Sequence, residues 1–295
     1  MSNKIFIEEY IQKLNVKIPN KEEFVRLSKI LPINPEYGEN FIINYERGML
    51  LYALITKFQP KTVLEIGTAS GYSTICMAWA MNDNNIDGKI FTIDPKSHHE
   101  VLERKMEGEV TTLFLSRHDL WKKFISSKWI EKIEVLTGYS YDILNKKNLP
   151  KMEFSYIDGS HVYTAVKQDF FRILEIIPEK FNILFDDYVP NENDGVTKLI
   201  DEEISNVFET TFIKTNTKKQ RIETRGEAYK NNELVMCLIG SSSLKKPLWE
   251  IFDKKYVNDY LNKNKFWNER IKIRSKINKK IPFLKNIRFQ WWKKI

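Results

Sequence analysis

At 295 residues, 42% hydrophobic and 29% charged, the chain is too apolar to be disordered, too interrupted by charge to be a multi-span membrane protein, and long enough to bury a substantial core. Its net charge of +8 would point to a polyanionic partner if it were spread evenly, but residues 241–295 hold 16 Lys/Arg against four Asp/Glu, which leaves residues 1–240 mildly acidic. Lys4, Glu8 and Glu9 interrupt the N-terminal apolar run, no stretch of about 20 apolar residues occurs, and Cys76 and Cys237 sit far apart in apolar segments, so a cytoplasmic protein with buried, reduced thiols is expected.

In chain order, residues 1–45 predict one or two helices broken by Pro19, Pro32 and Pro35, able to form a lid or a homo-oligomer contact. From Val63 to Ile239, strand-length apolar runs alternate with longer segments of helical period, the pattern of βαβ units. Strands are predicted at Thr62–Ile66, Ile90–Ile93, Ile133–Leu136, Phe154–Ile157, Asn182–Phe185, Phe208–Lys214 and Leu234–Ile239. Helices are predicted at Tyr72–Met81, near Val101–Met106, at Trp121–Trp129, Val162–Ile177 and Val196–Ile204. The last two strands are separated only by the polar stretch Thr215–Asn232 and should pair as an antiparallel hairpin. The expected fold is therefore α/β: a doubly wound, seven-stranded, mostly parallel sheet over residues 46–240. Ser241–Ser243 reads as a hinge into a basic, aromatic, helical extension, residues 241–295. Its closing stretch, Ile277–Ile295, mixes large apolar and basic residues in a way that suits an anionic lipid surface, or else packs on its own domain or a dimer mate.

Two groups of residues carry chemistry. In Val63-Leu64-Glu65-Ile66-Gly67-Thr68-Ala69-Ser70-Gly71-Tyr72-Ser73-Thr74, a buried strand runs through a Gly-bearing turn into a helix start. Glycine allows the tight turn and lets backbone N–H groups approach a ligand. Ala69 and the lack of a further glycine beyond Gly71 make it a poor dinucleotide fingerprint. The next strand ends in Asp94, an acid placed to accept hydrogen bonds from ribose hydroxyls, or merely a turn residue before Pro95. The second group lies at two later strand ends, Asp158 and the pair Asp186-Asp187. Carboxylates crowded at neighbouring strand ends, with no cation near them in sequence, suit Mg²⁺, Mn²⁺ or Ca²⁺. His161 stands three residues after Asp158, at a helix start.

These motifs resemble the class I S-adenosylmethionine-dependent methyltransferases. The Glu65-Ile66-Gly67…Gly71-Tyr72-Ser73 loop is similar to that of the catechol and caffeoyl-CoA O-methyltransferases, and the Ile157-Asp158-Gly159-Ser160-His161 run to the metal-dependent, macrocin-type sugar O-methyltransferases. The resemblance covers roughly residues 46–240 and implies a Rossmann-like methyltransferase fold. It implies S-adenosyl-L-methionine held by Glu65, Gly67, Gly71, Ser73, Asp94, Ser140 and Asp158, with Ser140 standing in the adenine-side loop where the family commonly has an acid nearer the glycine. It further implies Mg²⁺ (or Mn²⁺) on Asp158, Asp186 and Asp187, His161 and Asp158 as catalytic residues with His161 the general base, and a small-molecule or glycan acceptor. Two rivals stand beside it. The basic tail with Trp249, Trp267, Trp291 and Trp292 could serve a nucleic-acid methyltransferase or nucleic-acid-binding protein, which the acidic body disfavours, and a non-catalytic cofactor-fold protein would carry the same loop. His98 and His99 either line the adenine side or are solvated residues at a helix start, His118 beside Arg117 carries no signal, and Trp79 and Trp121 read as core.

Overall fold

The computed structural model describes residues 4–31, 44–105, 112–146, 148–190, 195–216 and 234–280. The chain divides into two compact units, Met1–Ile251 and Phe252–Ile295.

Among the described residues, the first unit is built on a sheet of eight strands. They are β1 (Ile5–Phe6), β2 (Thr62–Ile66), β3 (Lys89–Asp94), β6 (Ile133–Thr137), β7 (Phe154–Ile157), β8 (Asn182–Tyr188), β9 (Thr211–Lys214) and β10 (Val235–Gly240), in the order β1-β9-β10-β8-β7-β2-β3-β6. All seven expected strands form. The central strands β2 and β7 are buried over all but Thr62 because helices cover both faces, as a parallel sheet requires, and polar Glu65 and Ser155 are buried among their apolar residues. Only β10 runs against its neighbours, antiparallel to both β8 and β9. That is the expected antiparallel pairing of the last two strands; of the residues joining them, 217–233 lie outside those described. The eighth strand, β1, pairs in parallel with β9 and is too short, at two residues, to leave an alternation in the sequence.

Helices α1 (Ile7–Leu14) and α2 (Lys21–Ile30) pack on α3 (Tyr45–Phe58), which in turn lies along α4 (Tyr72–Asp83). That approach is close because residue 48 is glycine: a Cβ there would come within 2.4 Å of Tyr72 Oη and 2.6 Å of Cys76 Sγ. Helix α8 (Tyr163–Leu174) forms within the expected Val162–Ile177 segment and buries Val166, Phe170, Ile173 and Leu174, while Val162 stands exposed before it, and α9 (Gly195–Glu202) follows β8.

Three expectations are corrected. The helix near Val101–Met106 is instead a strand, β4 (Leu102–Lys105), paired antiparallel with β5 (Thr112–Leu115). The segment was too short for its period to decide, and Arg104, pointing inward, donates from Nε to Leu115 O at 3.0 Å. The single Trp121–Trp129 helix is two, α5 (Arg117–Phe124) and α6 (Ser127–Ile130), parted where Ile125 leaves helical geometry. Ser241–Ser243 is no hinge: it is a 3₁₀ turn in which the Ser241 N–H donates to Phe181 O at 3.0 Å and the Gly240 N–H to Ser243 Oγ at 3.0 Å. The boundary between units comes after α10 (Leu248–Ile251).

The second unit carries the 27-residue helix α11 (Lys254–Lys280). Residues 281–295, and with them most of the proposed lipid-facing stretch, lie outside the described residues. Among the described residues, no helix is long and apolar enough to cross a membrane. Cys76 and Cys237 are buried free thiols, Trp121 is fully buried and Trp79 packs against the core.

Candidate functional site

After β3 the chain crosses to the β6 edge, then returns to place β7 on the other side of β2. Strand order reverses there, so the loops after β2 and β7 diverge at the carboxyl ends of the strands and open a crevice, the usual ligand position in such sheets. Both chemical groups predicted from the sequence stand at this end: the β2 and β3 loops with Gly67, Gly71 and Asp94, and the β7 and β8 ends with Asp158, Asp186 and Asp187.

The two groups touch through backbone. Gly67 has φ +103°, and a Cβ there would lie 2.0 Å from the carbonyl oxygen of Asp158. Only glycine lets the β2 loop turn this closely over the β7 end. Ala69 also has positive φ, 48°, and its N–H donates to Asp94 Oδ2 at 2.8 Å. Arg117, at the start of α5, fastens the same corner: its Nε donates to Ala69 O at 2.8 Å and its Nη2 lies 3.3 Å from Asp94 Oδ2. The Lys96 N–H donates to Asp94 Oδ1 at 2.7 Å. Three protein donors thus hold Asp94, and a carboxylate has about four lone-pair sites, so room remains for a ligand hydroxyl. Burial pulls the Arg117 pKa below its ordinary value while Asp94 pushes it back up, and Arg117 Nη1 is buried without a hydrogen-bond partner. Next to it, burial and the charge of Arg117 lower His98 to about 4, so this half-buried ring, edge-on to Trp121 at 4.9 Å, is neutral at physiological pH.

Other sequence-predicted cofactor residues bond to protein groups. Glu65 is 0% exposed and accepts from Ser73 Oγ at 2.5 Å, from Thr92 Oγ1 at 2.5 Å and from Thr74 Oγ1. Burial raises its pKa, and the three hydroxyls oppose that. Glu65 and Ser73 therefore tie β2, β3 and the start of α4 together beneath the loop. Ser140, at the start of α7 (Ser140–Lys146), donates to Asp169 Oδ1 at 2.5 Å. Asp169 was not singled out from the sequence. It is a buried acid on α8 that burial pushes up to about 7 against the effect of Ser140, and its Oδ2 lies 3.9 Å from where a Cβ on Gly159 would stand.

The carboxylate half owes its shape to a bulge. Opposite β10, Val235 pairs with Tyr188 and Cys237 with Phe185, so two residues of β8, Asp186 and Asp187, face the single Met236. Consecutive strand residues normally point to opposite faces, and a bulge re-aims them. Asp187 adopts φ +54°, and its Oδ2 meets His161 Nδ1 at 3.2 Å. Asp158, His161 and Asp187 each offer a ligand atom within 4.8 Å of the others. Asp186 is not in that group. It accepts from Tyr156 Oη at 2.7 Å and from the Asp187 N–H at 2.8 Å, and lies 2.7 Å from Arg47 Nη2.

Arg47 is the cation that sequence reading did not find, because it stands 111 residues before Asp158, in the first turn of α3. Its Nη1 donates to Asp158 Oδ2 at 3.0 Å. Burial opposes its charge, but Asp186, Tyr156, Asp158 and Asp187 outweigh burial and raise its pKa above the ordinary value. The signal available in the sequence was an arginine directly before Gly48 at the head of the apolar run Met49–Ile55. Tyr156, whose hydroxyl burial holds protonated, was overlooked as one more apolar strand residue.

No curated protein sequence matches the chain. Among solved structures, similar ones include the O-methyltransferase TomG from Streptomyces achromogenes, involved in tomaymycin synthesis and bound to SAM (18% identity, 78% of this chain and 94% of that one, TM-score 0.49). An O-methyltransferase from Bacillus cereus in complex with SAH is also similar (18% identity, 79% of this chain and 99% of that one, TM-score 0.49). Residues 64–188 match the family model described as a methyltransferase domain.

Proposed function

We propose that the chain is an S-adenosyl-L-methionine-dependent O-methyltransferase that acts on a hydroxyl of a sugar or glycosylated metabolite with the help of a divalent cation. The observation that carries this reading is the junction of the two half-sites: the Gly67 turn rests on the backbone of Asp158, so a ligand on the β2 and β3 loops lies beside the acids and His161.

In this reading Asp94 accepts from a ribose hydroxyl with its remaining lone pair, while the loop N–H groups face the amino-acid end of the cofactor. Asp187 holds His161 through Nδ1, which favours the tautomer whose Nε2 can take the proton of the acceptor hydroxyl. The methyl group leaves the sulfonium in line with the incoming oxygen, so fixed placement of that oxygen carries much of the rate. The carboxylates of Asp158 and Asp187, which with His161 offer ligand atoms within 4.8 Å of one another, fit a Mg²⁺ or Mn²⁺ ion held by the two aspartates. Such an ion would lower the pKa of a hydroxyl bound to it. The sugar acceptor rests on the resemblance of the Ile157–His161 run to the sugar O-methyltransferases.

The test is transfer of labelled methyl from S-adenosyl-L-methionine by the full chain to a panel of glycosides, catechols and RNA, with and without EDTA. The expected result is label on a glycoside hydroxyl, lost in EDTA and restored by Mg²⁺ or Mn²⁺. Label on nitrogen or on RNA would contradict the acceptor class, and full turnover of metal-free protein would contradict the role of the cation.

A further inference from the structure

Asp186 is 1% exposed, and both its oxygens are engaged. Oδ2 receives Tyr156 Oη and lies against Arg47 Nη2, and Oδ1 receives the Asp187 N–H. The same guanidinium reaches Asp158 Oδ2 with its other terminal nitrogen, and Tyr156 Oη lies 3.3 Å from that oxygen. Arginine keeps its charge at any pH a protein meets, and its planar fork suits two acceptors at once. Two neighbouring carboxylates, repelling each other at this largely buried site, already have their cation.

We infer that Arg47 is the resident counter-cation of this site: it holds Asp186 as an organising carboxylate and not as a metal ligand, and it competes with a divalent cation for Asp158. This rests on the metal reading of the site given above, and it departs from the three-aspartate ligand set expected from the sequence. The bulge at Asp186–Asp187 divides the labour. Asp186 turns toward the α3 side and receives Arg47, while Asp187 turns toward His161 and joins the group that can hold an ion. A positive charge at hydrogen-bond distance from Asp158 weakens any second cation there by direct repulsion, which at so short a range is worth about tenfold or more in affinity.

The test is Mn²⁺ titration of the full chain, read by electron paramagnetic resonance and calorimetry without cofactor, for wild type and the variants D186N, D158N, D187N and R47Q, with each fold checked by circular dichroism. D186N should bind Mn²⁺ within about threefold of wild type, D158N and D187N should bind about tenfold or more weakly, and R47Q should bind about tenfold or more tightly. If R47Q does not fold, D186N against D158N still decides. Loss of binding in D186N equal to that in D158N would overturn the inference and leave the metal reading standing. Binding to none of the folded proteins, R47Q included, would overturn the metal reading itself and this inference with it.

Discussion

The indole N–H of Trp121 donates to the carbonyl oxygen of Ser70 at 2.9 Å, and the Trp121 ring fills the space a Cβ on Gly71 would need, 2.2 Å from its Cζ2. Arg117 takes the carbonyl of Ala69 in the same way, and Arg104 Nη1 lies 3.3 Å from Ser70 Oγ. One side of the loop is thus fastened to α5 and β4. Trp121→Phe removes the donor and also shrinks a fully buried ring. It should cost about 2 to 4 kcal/mol of stability and weaken S-adenosylhomocysteine binding several-fold, read by thermal melting and calorimetry. Gly71→Ala combines a positive φ of 94° with the ring clash and should abolish binding. Normal affinity in Gly71→Ala would show that the loop does not hold the cofactor in this shape.

Asp169 supplies a pH dependence whose sign is fixed. Its folded pKa of about 7 lies above the ordinary carboxylate value, so its contribution to stability is full below about pH 4 and is lost as pH rises through 7. Asp169→Asn mimics the protonated form and keeps an acceptor for Ser140. Chemical denaturation of both proteins from pH 4 to 8 should give equal stabilities at pH 4 and an advantage for the variant that grows to roughly 3 to 4 kcal/mol near pH 7 to 8. A constant difference across the range would mean that Asp169 is ionised throughout.

His161→Ala separates two roles that the geometry allows. As general base held by Asp187, the histidine should carry about 10² to 10⁴ of the rate, while the variant keeps wild-type affinity for S-adenosylhomocysteine and Mn²⁺. Loss of Mn²⁺ affinity together with turnover would make it a ligand instead.

How much of this was legible in the sequence depends on the range of the interaction. The β2 loop, Asp94 and the end of β7 could be read because each is a local pattern of strand, turn and acid. Helix α8 could be read because its buried face repeats over several turns. The bulge could not, because the extra residue exists only relative to β10, about 50 residues later in the chain. Arg47 and Asp169 could not either, because each looks like an ordinary polar residue on a helix until tertiary packing buries it against distant partners. Strand β4 escaped because Leu-Glu-Arg-Lys shows neither period, and the inward turn of Arg104, which bonds the β5 backbone and the loop after β2, exists only in the folded chain. The metal assignment drew on the acids alone and so passed over the arginine already among them.

The most direct measurement is a calorimetric titration of S-adenosylhomocysteine into the full chain and into Asp94→Ala. The account predicts one site per wild-type chain and a loss of about 1 to 3 kcal/mol in the variant, the scale of hydrogen bonds to a charged group, with the fold retained by circular dichroism. No binding to the wild type, or equal affinity in a folded Asp94→Ala protein, would contradict it.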